Sequence, residues 1–359
     1  MYKYQPLNSF RKIAFASFSV SLLFFSFSVL AQEKKILDSL QASYDKASQD
    51  TTRILLLTEI SKQWHRSAPD TAINIARRAE QWAERISFGK GLARAYNAIG
   101  MGFWMKSNHA EALSFHQKSL PYFEASHDRQ GYGLSLNYIG IIYHYQADYP
   151  LALDYFQRAL AILEEIHYKD GIALVYNNLG LNYEAQHDLL LALQYYQKGL
   201  KIYESTSSKG GFAVSLTNIG YIYFMQGNYN QALVELGKAA QIQEEINDRS
   251  TLISSLIGMA EVYQHQMLYP QSIAMAERAY RLARSMNSLL DAKEATGVLY
   301  KTYKAQDNPV KALAYFERYK ELNDSVFSVE NNRVIATLDR KSTRLNSSHG
   351  GISRMPSSA

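Results

Sequence analysis

The sequence of 359 residues contains no cysteine and only seven prolines. Without cysteine the chain has no disulfide bond, no thiolate metal ligand and no cysteine nucleophile. The low proline content and the 47% hydrophobic composition are typical of a globular protein and exclude a chain that is disordered along its whole length. The stability of the fold must therefore come from the packing of apolar side chains.

Catalytic and metal-binding motifs are also missing. The sequence lacks His-Glu-x-x-His, Gly-x-Ser-x-Gly, a phosphate-binding glycine-rich loop and the dinucleotide-binding fingerprint. Its histidines are scattered without the spacing of metal ligands. We therefore expect no catalytic activity, no cofactor and no bound metal.

The formal net charge of +5 is concentrated at the two ends of the chain. Residues 1–31 carry a net charge of +3 and residues 339–359 another +3, so residues 32–338 carry −1. Phosphate contacts require clustered lysine and arginine side chains. The near-neutral body of the chain therefore predicts no nucleic-acid partner.

Residues 1–31 have the features of a secretory signal peptide. Arg11 and Lys12 precede an apolar run, and the small side chains of Val29 and Ala31 fit positions −3 and −1 of a cleavage site. We expect an exported protein, periplasmic or extracellular. An uncleaved membrane anchor is the alternative, because the apolar run is nearly long enough to span a bilayer.

The residues at the other end carry no helical pattern. Residues 339–349 and 353–359 resemble the conceptual translation of a common sequencing-library adapter. We interpret residues 339–359 as a non-native, disordered tail and residues 329–338 as the start of a linker helix. On this interpretation the natural chain continues past Leu338, into either a membrane span or another region.

A repeat of 40 residues organises the sequence between the two ends. Each unit has a glycine, an aromatic residue three positions later and a small residue twelve positions after the glycine. The clearest copies are Gly100, Gly140, Gly180 and Gly220, then Tyr143, Tyr183 and Tyr223, then Ala152, Ala192 and Ala232.

Apolar residues in each unit follow helical spacing on two segments that turn residues separate. The pattern predicts seven helix-turn-helix units over residues 49–328, preceded by a cap or linker at residues 32–48. The small residues allow the two helices of a unit to approach closely. The apolar face that each unit leaves uncovered can be buried only against the next unit.

This pattern resembles the tetratricopeptide repeat family, over about 280 residues. The positions that carry the resemblance in one unit are Tyr176, Leu179, Gly180, Tyr183, Ala192, Tyr196 and Gly199. The period of 40 instead of 34 is similar to the longer-helix subclass found in bacterial regulators. HEAT repeats have a similar period but lack this glycine, tyrosine and alanine series. The resemblance implies an all-α fold, a right-handed α-solenoid.

In this family the first helix of each unit lines a groove that binds a protein or peptide. The resemblance places the residues three before, and one, four and five after, the repeat glycine in that groove. The candidate groove residues are Asn97, Met101, Trp104, Asn137, His144, Tyr145, Asn177, Thr217, Tyr221 and Phe224. Asparagines at this spacing would form a ladder that pairs with a peptide backbone. The alternative is that they bridge neighbouring helices and that the aromatic residues belong to the core.

Two functions are consistent with these features. The first is a non-catalytic scaffold in an exported compartment that binds a protein or peptide. The second follows from a resemblance to sensors of the Bacteroidetes type, in which exported repeats precede a linker helix and a membrane span. There the repeats would be the sensory input region of a truncated two-component sensor histidine kinase or of a repeat-containing transcriptional regulator.

Overall fold

The computed structural model describes residues 35–65 and 67–326. Within those ranges the chain consists of α-helices and short turns, with no strand. None of the helices there has the length and hydropathy that crossing a bilayer requires. The proposed signal peptide at 1–31, the linker helix at 329–338 and the tail at 339–359 lie outside the described residues.

The helices follow one another at steps of 20 residues, and most of them are 17 residues long. Each 40-residue unit therefore holds two helices, which we call its first and its second helix. The described helices are α1 (35–46), α2 (Asp50–Trp64), α3 (Pro69–Arg85), α4 (Gly89–Met105), α5 (His109–Ala125), α6 (Arg129–Tyr145), α7 (Tyr149–Glu165), α8 (Lys169–Ala185), α9 (Leu189–Thr206), α10 (Lys209–Met225), α11 (Tyr229–Glu245), α12 (Arg249–His265), α13 (Tyr269–Ser285), α14 (Leu289–Ala305) and α15 (309–326).

The turns between helices repeat one geometry, which the end of α4 illustrates. Ser107 has a φ of 53°, and its N–H donates to the Trp104 carbonyl while the N–H of Asn108 donates to the Phe103 carbonyl. These two bonds satisfy carbonyl groups that a helix end leaves open. The side chain of Asn108 then accepts the N–H of Glu111 and caps α5. Recurrence of this turn keeps the helix length constant.

Glycines of the first helices mark the closest contacts with the second helices. A Cβ atom on Gly140 would lie 2.7 Å from the ring of Phe156, and one on Gly180 would lie 2.6 Å from the ring of Tyr196. Both rings are buried. Because these distances are shorter than van der Waals contact, glycine at these positions makes room for a large side chain between the helices.

The sizes of the two facing residues compensate one another along the chain. Gly220 faces Leu236, whereas Ala260, which has a Cβ, shares a core cluster with the smaller Ala276. The alanines twelve positions after each glycine are fully buried, and these are Ala152, Ala192 and Ala232. The repeat tyrosines lie at the margin of the core instead, where Tyr143 and Tyr183 stack on Tyr155 and Tyr195 with ring centroids 5.4 Å apart. Tyr223 is likewise half-buried.

The chain divides into two compact units with the boundary after Gly131. In unit 1 (residues up to 131), α2 to α5 pack around Ile54, Ile99 and Phe123. In unit 2 (residues from 132), the first helices α8, α10, α12 and α14 lie side by side, and each contacts its own second helix. The first helices of unit 2 therefore share one face that their second helices do not cover.

Gly237 provides a test of this packing. It lies inside α11, and no atom is within 4 Å of a Cβ atom placed on it. Glycine inside a helix is less favourable than alanine, chiefly because it gives the unfolded chain more freedom. We expect Gly237→Ala to raise the free energy of unfolding by about 0.4–1 kcal/mol, measured by urea denaturation. A lower urea midpoint for this variant would contradict the open surroundings of Gly237.

Candidate functional site

The proposed asparagine ladder is buried between first helices of unit 2. Asn177 on α8 donates from Nδ2 to the Ser215 hydroxyl on α10 at 2.9 Å. Thr217, one repeat further on, is 2.8 Å from the Ser255 hydroxyl on α12. All four side chains are buried. The groove assignment of Asn177 and Thr217 is therefore wrong, because their polar atoms join neighbouring repeats.

The groove assignment of Asn137 is wrong as well, and Asn137 has a different hydrogen-bond partner. It is fully buried, and its Oδ1 accepts a hydrogen bond of 2.7 Å from Nδ2 of Asn178 on the next first helix. The position that Ser215 occupies opposite Asn177 is taken by Val175 here, so a serine partner is missing. The interpretation that these asparagines bridge neighbouring helices is the one that the structure favours.

The half-buried residues on the first helices of unit 2 lie at other repeat positions. Asn178 and Asn218 come two residues before the repeat glycine, and Leu181 and Tyr221 come one residue after it. Among the described residues, the amide of Asn218 makes no hydrogen bond. We call this surface the first-helix face; its main half-buried residues are Asn178, Leu181, Glu184, Asn218, Tyr221, Phe224 and Glu261, and Met225 and Glu294 are its exposed residues.

Tyr221 lies at the centre of the first-helix face and reaches over the next helix. Its hydroxyl donates to the backbone carbonyl of Ser254 at 2.9 Å. A Cβ atom on Gly258 would lie 3.1 Å from Cζ of Tyr221, so the glycine allows the ring to lie close to α12. Burial raises the pKa of Tyr221, and the carboxylates of Glu261 and Glu294 raise it further. The phenol is thus neutral and positioned across two repeats.

The carboxylates of Glu184, Glu261, Asp291 and Glu294, on three helices, all raise the pKa of Tyr221. Glu184 on α8 accepts the hydroxyl proton of Tyr196 at 2.6 Å, and burial raises the pKa of Glu184. Burial also raises the pKa of Glu261 on α12 and of Glu294 on α14. Lys301 lowers the pKa of Glu261 and Glu294 raises it by less, so burial is the main cause of the net rise. Lys293 likewise lowers the pKa of Glu294, so lysines of the chain partly offset the negative charge of both carboxylates.

Aromatic side chains line the edge of this surface. Phe224 packs edge-on to His265 with ring centroids 5.2 Å apart, and it also contacts Tyr229 at 6.0 Å. Met225 beside it remains 48% exposed. Tyr221 and Phe224, two of the candidate groove residues, are thus half-buried on the first-helix face.

His144 and Tyr145 lie near the start of unit 2. His144 Nδ1 is 3.2 Å from Oδ1 of Asn182, and its ring packs against Tyr149. Burial lowers the pKa of His144, which favours the neutral ring. Tyr145 is 60% exposed. Of the two, Tyr145 offers the more open surface, whereas His144 is held by the neighbouring repeat.

The candidate groove residues of unit 1 form a separate patch. Trp104 stacks on His109 with ring centroids 4.9 Å apart, and Asn97 and Met101 are half-buried. Unit 1 also contains His116, a buried histidine that lies against Gly100. In the described part of the chain, no group of three histidine, aspartate or glutamate side chains could hold a metal ion.

The tetratricopeptide repeat family profile matches residues 132–205 and 211–285. A comparison with curated protein sequences gave no match. The profile match shows tetratricopeptide repeats over these residues, and the helix pairs on either side of them have the same length and spacing. The predicted all-α fold of tandem helix-turn-helix repeats is confirmed.

Solved structures of low sequence identity share this fold. The apo form of RapI superposes with a TM-score of 0.59 at 17% identity, over 74% of this chain and 96% of its own. The Rap conjugation gene regulator of the plasmid pLS20, in complex with the Phr* peptide, gives 0.61 at 17% identity, over 78% and 75%. The protein PH0952 from Pyrococcus horikoshii, a signal transduction ATPase with a tetratricopeptide repeat sensor, gives 0.59 at 15% identity, over 82% and 47%.

Proposed function

We propose that this chain is a non-catalytic scaffold that binds a protein or peptide on the first-helix face of unit 2. The observation that carries the proposal is the row of half-buried side chains on adjacent helices, with an amide at Asn218 that no described residue satisfies. Buried or half-buried polar groups gain free energy when they acquire a partner. A Rap protein of the same fold is known in complex with a peptide, which supports the proposal.

The chemistry of this surface suits an extended segment. Asn218 offers both a donor and an acceptor to a peptide backbone, and Asn178 uses its Nδ2 on Asn137 and keeps a lone pair on Oδ1. Leu181 and Phe224 supply apolar contact area on either side of Tyr221. Hydrogen bonds from the amides to the peptide backbone give affinity without sequence preference, whereas the apolar side chains favour peptides with apolar residues at the adjacent positions.

A binding experiment tests this function. Peptides selected from a random ten-residue phage library on the purified chain are measured against variants by fluorescence anisotropy. We expect Asn218→Ala to weaken binding about tenfold, because two hydrogen bonds of about 0.5–1.5 kcal/mol each are lost. The melting temperature should stay the same. The matched variant Asn177→Ala should lower the melting temperature, because it breaks the buried contact with Ser215.

Failure to select any peptide, or selected peptides whose binding survives every substitution on the first-helix face, would overturn the proposed function. A loss of binding and folding together in Asn218→Ala would instead assign that residue a structural role.

An exported location is part of the proposal and depends on residues 1–31. The basic residues, apolar run and small residues before position 32 support it. Expression of the full chain in a bacterium, followed by fractionation and determination of the N-terminal residue, tests it. Recovery of the uncleaved chain from the cytoplasm would contradict export.

A sensory input role is the second candidate. The same fold occurs in PH0952, whose repeats are described as a sensor, and this supports the candidate. Sequencing the source DNA beyond the codon for Leu338 tests it. A reading frame that continues into an apolar span and a kinase would support the role, whereas the same tail encoded in the source DNA would contradict it.

A further inference from the structure

A cleft of about 620 Å³ lies in unit 2, where the turn between α10 and α11 meets the turn that follows α12. Two aromatic rings and four side-chain amides line it, and these belong to Tyr223, Asn228, Tyr229, Asn230, Gln231 and Gln266. Its described lining contains no charged and no aliphatic side chain, and no residue of the first-helix face contributes to it. The cleft is therefore a separate, neutral site.

The ring of Tyr223 lacks the stacking partner of other repeat tyrosines. Tyr143 and Tyr183 stack on tyrosines of their second helices with ring centroids 5.4 Å apart. At the corresponding position of α11 the chain has Glu235, which accepts a hydrogen bond of 2.6 Å from Gln231. Among the described residues, no ring stacks on Tyr223. Tyr223 thus lines the cleft with a ring that no other ring covers.

Two residues of the turn also depart from the repeat, and both changes open the cleft. Gly227 has a φ of 76° at a position where another turn carries the side chain of Asp307, and no atom lies within 4 Å of a Cβ atom placed on Gly227. Asn228 does not cap α11, whereas Asp188 caps α9. Its Nδ2 donates instead to Gln226 at 3.5 Å. The amide of Asn228 therefore faces the cleft and not the helix.

The equivalent cleft around Tyr303 has about the same volume but is covered and charged. Tyr315 stacks on Tyr303 with ring centroids 5.5 Å apart, and Nζ of Lys311 lies 5.0 Å from the centroid of the Tyr303 ring. Asp307 adds a carboxylate where the first cleft has Gly227. The departures from the repeat thus coincide at one turn, and together they produce an uncovered, neutral cleft.

The chemistry of this lining matches an uncharged sugar. A sugar ring has C–H groups on its faces, which pack on the electron-rich face of an aromatic ring, and hydroxyl groups around its edge. A side-chain amide both donates and accepts hydrogen bonds, as a hydroxyl group does. The amides are also positioned, because Nε2 of Gln266 donates to Oδ1 of Asn230 at 3.3 Å. A few fixed polar groups beside an apolar surface are typical of a small-molecule site.

We propose that this cleft binds a neutral oligosaccharide, with one sugar ring against Tyr223 and its hydroxyl groups on the amides of Asn228, Asn230 and Gln266. The site is additional to the proposed function and does not depend on the first-helix face. A peptide suits the cleft less well, because the lining has no aliphatic pocket for peptide side chains.

A glycan array of neutral and acidic oligosaccharides tests the proposal, followed by calorimetric titration with a neutral oligosaccharide that binds. We expect Gly227→Asn to weaken binding at least tenfold, because asparagine tolerates a positive φ and its side chain would occupy the cleft. The matched variant Asp307→Asn places the same side chain at the equivalent turn and should leave binding unchanged.

Asn228→Asp separates binding from folding. An aspartate at this position can cap α11, as Asp148 and Asp188 cap α7 and α9. We expect a higher melting temperature together with at least tenfold weaker binding of the same oligosaccharide, because the side chain turns from the cleft to the helix. Binding and melting temperature that fall together would contradict the assignment of Asn228 to the site.

An array on which no neutral oligosaccharide binds would overturn the proposal, and so would binding that survives Gly227→Asn. A preference for acidic oligosaccharides, or peptide binding that Gly227→Asn abolishes, would overturn it as well. None of these results depends on Asn218, so the two sites can be tested independently.

Discussion

Tyr196→Ala is expected to lower the free energy of unfolding by about 3–5 kcal/mol, the range for removing a large aromatic side chain from a core. The ring of Tyr196 is fully buried and fills the space that Gly180 leaves open. Its hydroxyl also donates to Glu184, so the substitution leaves a half-buried carboxylate without that donor. Urea denaturation followed by circular dichroism measures the loss.

Gly180→Ala tests the same contact from the opposite side. The added Cβ would lie 2.6 Å from the ring of Tyr196, and overpacking of this kind lowers stability by about 1–3 kcal/mol. Gly180→Leu should lower it further. The alanine pair at positions 260 and 276 shows that two small residues can share this contact.

The two substitutions should therefore be coupled. The double variant, Gly180→Ala with Tyr196→Ala, is expected to be more stable than the sum of the single losses indicates, because the new methyl group occupies part of the space that the ring vacates. Gly237→Ala, which meets no neighbour, serves as the control for adding a methyl group to a helix. Additive losses at positions 180 and 196 would mean that the two side chains do not share one space.

The 40-residue period was sufficient to predict the helix pairs, because the small and large residues of each unit meet physically. Gly180 could be recognised as a contact point since a helix that carries glycine every 40 residues loses stability unless another backbone or ring approaches closely. Tyr196 follows at the distance that a tight helical hairpin requires. These contacts join residues that are close in the sequence, so the spacing of the residues predicts them.

The asparagine ladder shows where a single sequence is insufficient. Asn177 and Asn178 are adjacent, yet the first lies between two first helices and the second is half-buried on their open face. Successive residues of a helix differ by about 100° in direction, so a register error of one residue changes the assignment. Ser215, 38 residues after Asn177, was the available indication of a buried pair, and it repeats as Ser255 after Thr217.

The carboxylates that influence Tyr221 from later repeats were missed for a different reason. Glu261 and Glu294 lie in the two repeats where the glycine is replaced, and the groove positions had been carried only as far as the fourth glycine. Their proximity to Tyr221 depends on how adjacent first helices pack. The sequence of a single repeat does not predict this packing. Proximity between residues of different repeats becomes visible only when the repeats are stacked.

Acidification should destabilise unit 1 through His116. Burial lowers the pKa of His116 to about 3, with a smaller contribution from His65, so the folded chain keeps this ring neutral. The unfolded chain takes up the proton below its ordinary pKa of 6.5, so stability falls as the pH falls from 6.5 towards 3. At pH 5 the loss from this group is about 2 kcal/mol relative to pH 7.5 or above.

His116→Phe is expected to abolish this loss, because His116 occupies the position of Phe156 in unit 2 and its ring lies against Gly100 as that of Phe156 lies against Gly140. Urea midpoints at pH 7.5 and pH 5 should then differ much less than in the unchanged chain. A smaller dependence should remain from His65, whose pKa burial also lowers. His265→Gln, at an exposed position, serves as the control for replacing a histidine. If His116→Phe retained the full difference, a neutral buried imidazole could not be its source, because phenylalanine has no proton to bind at either pH.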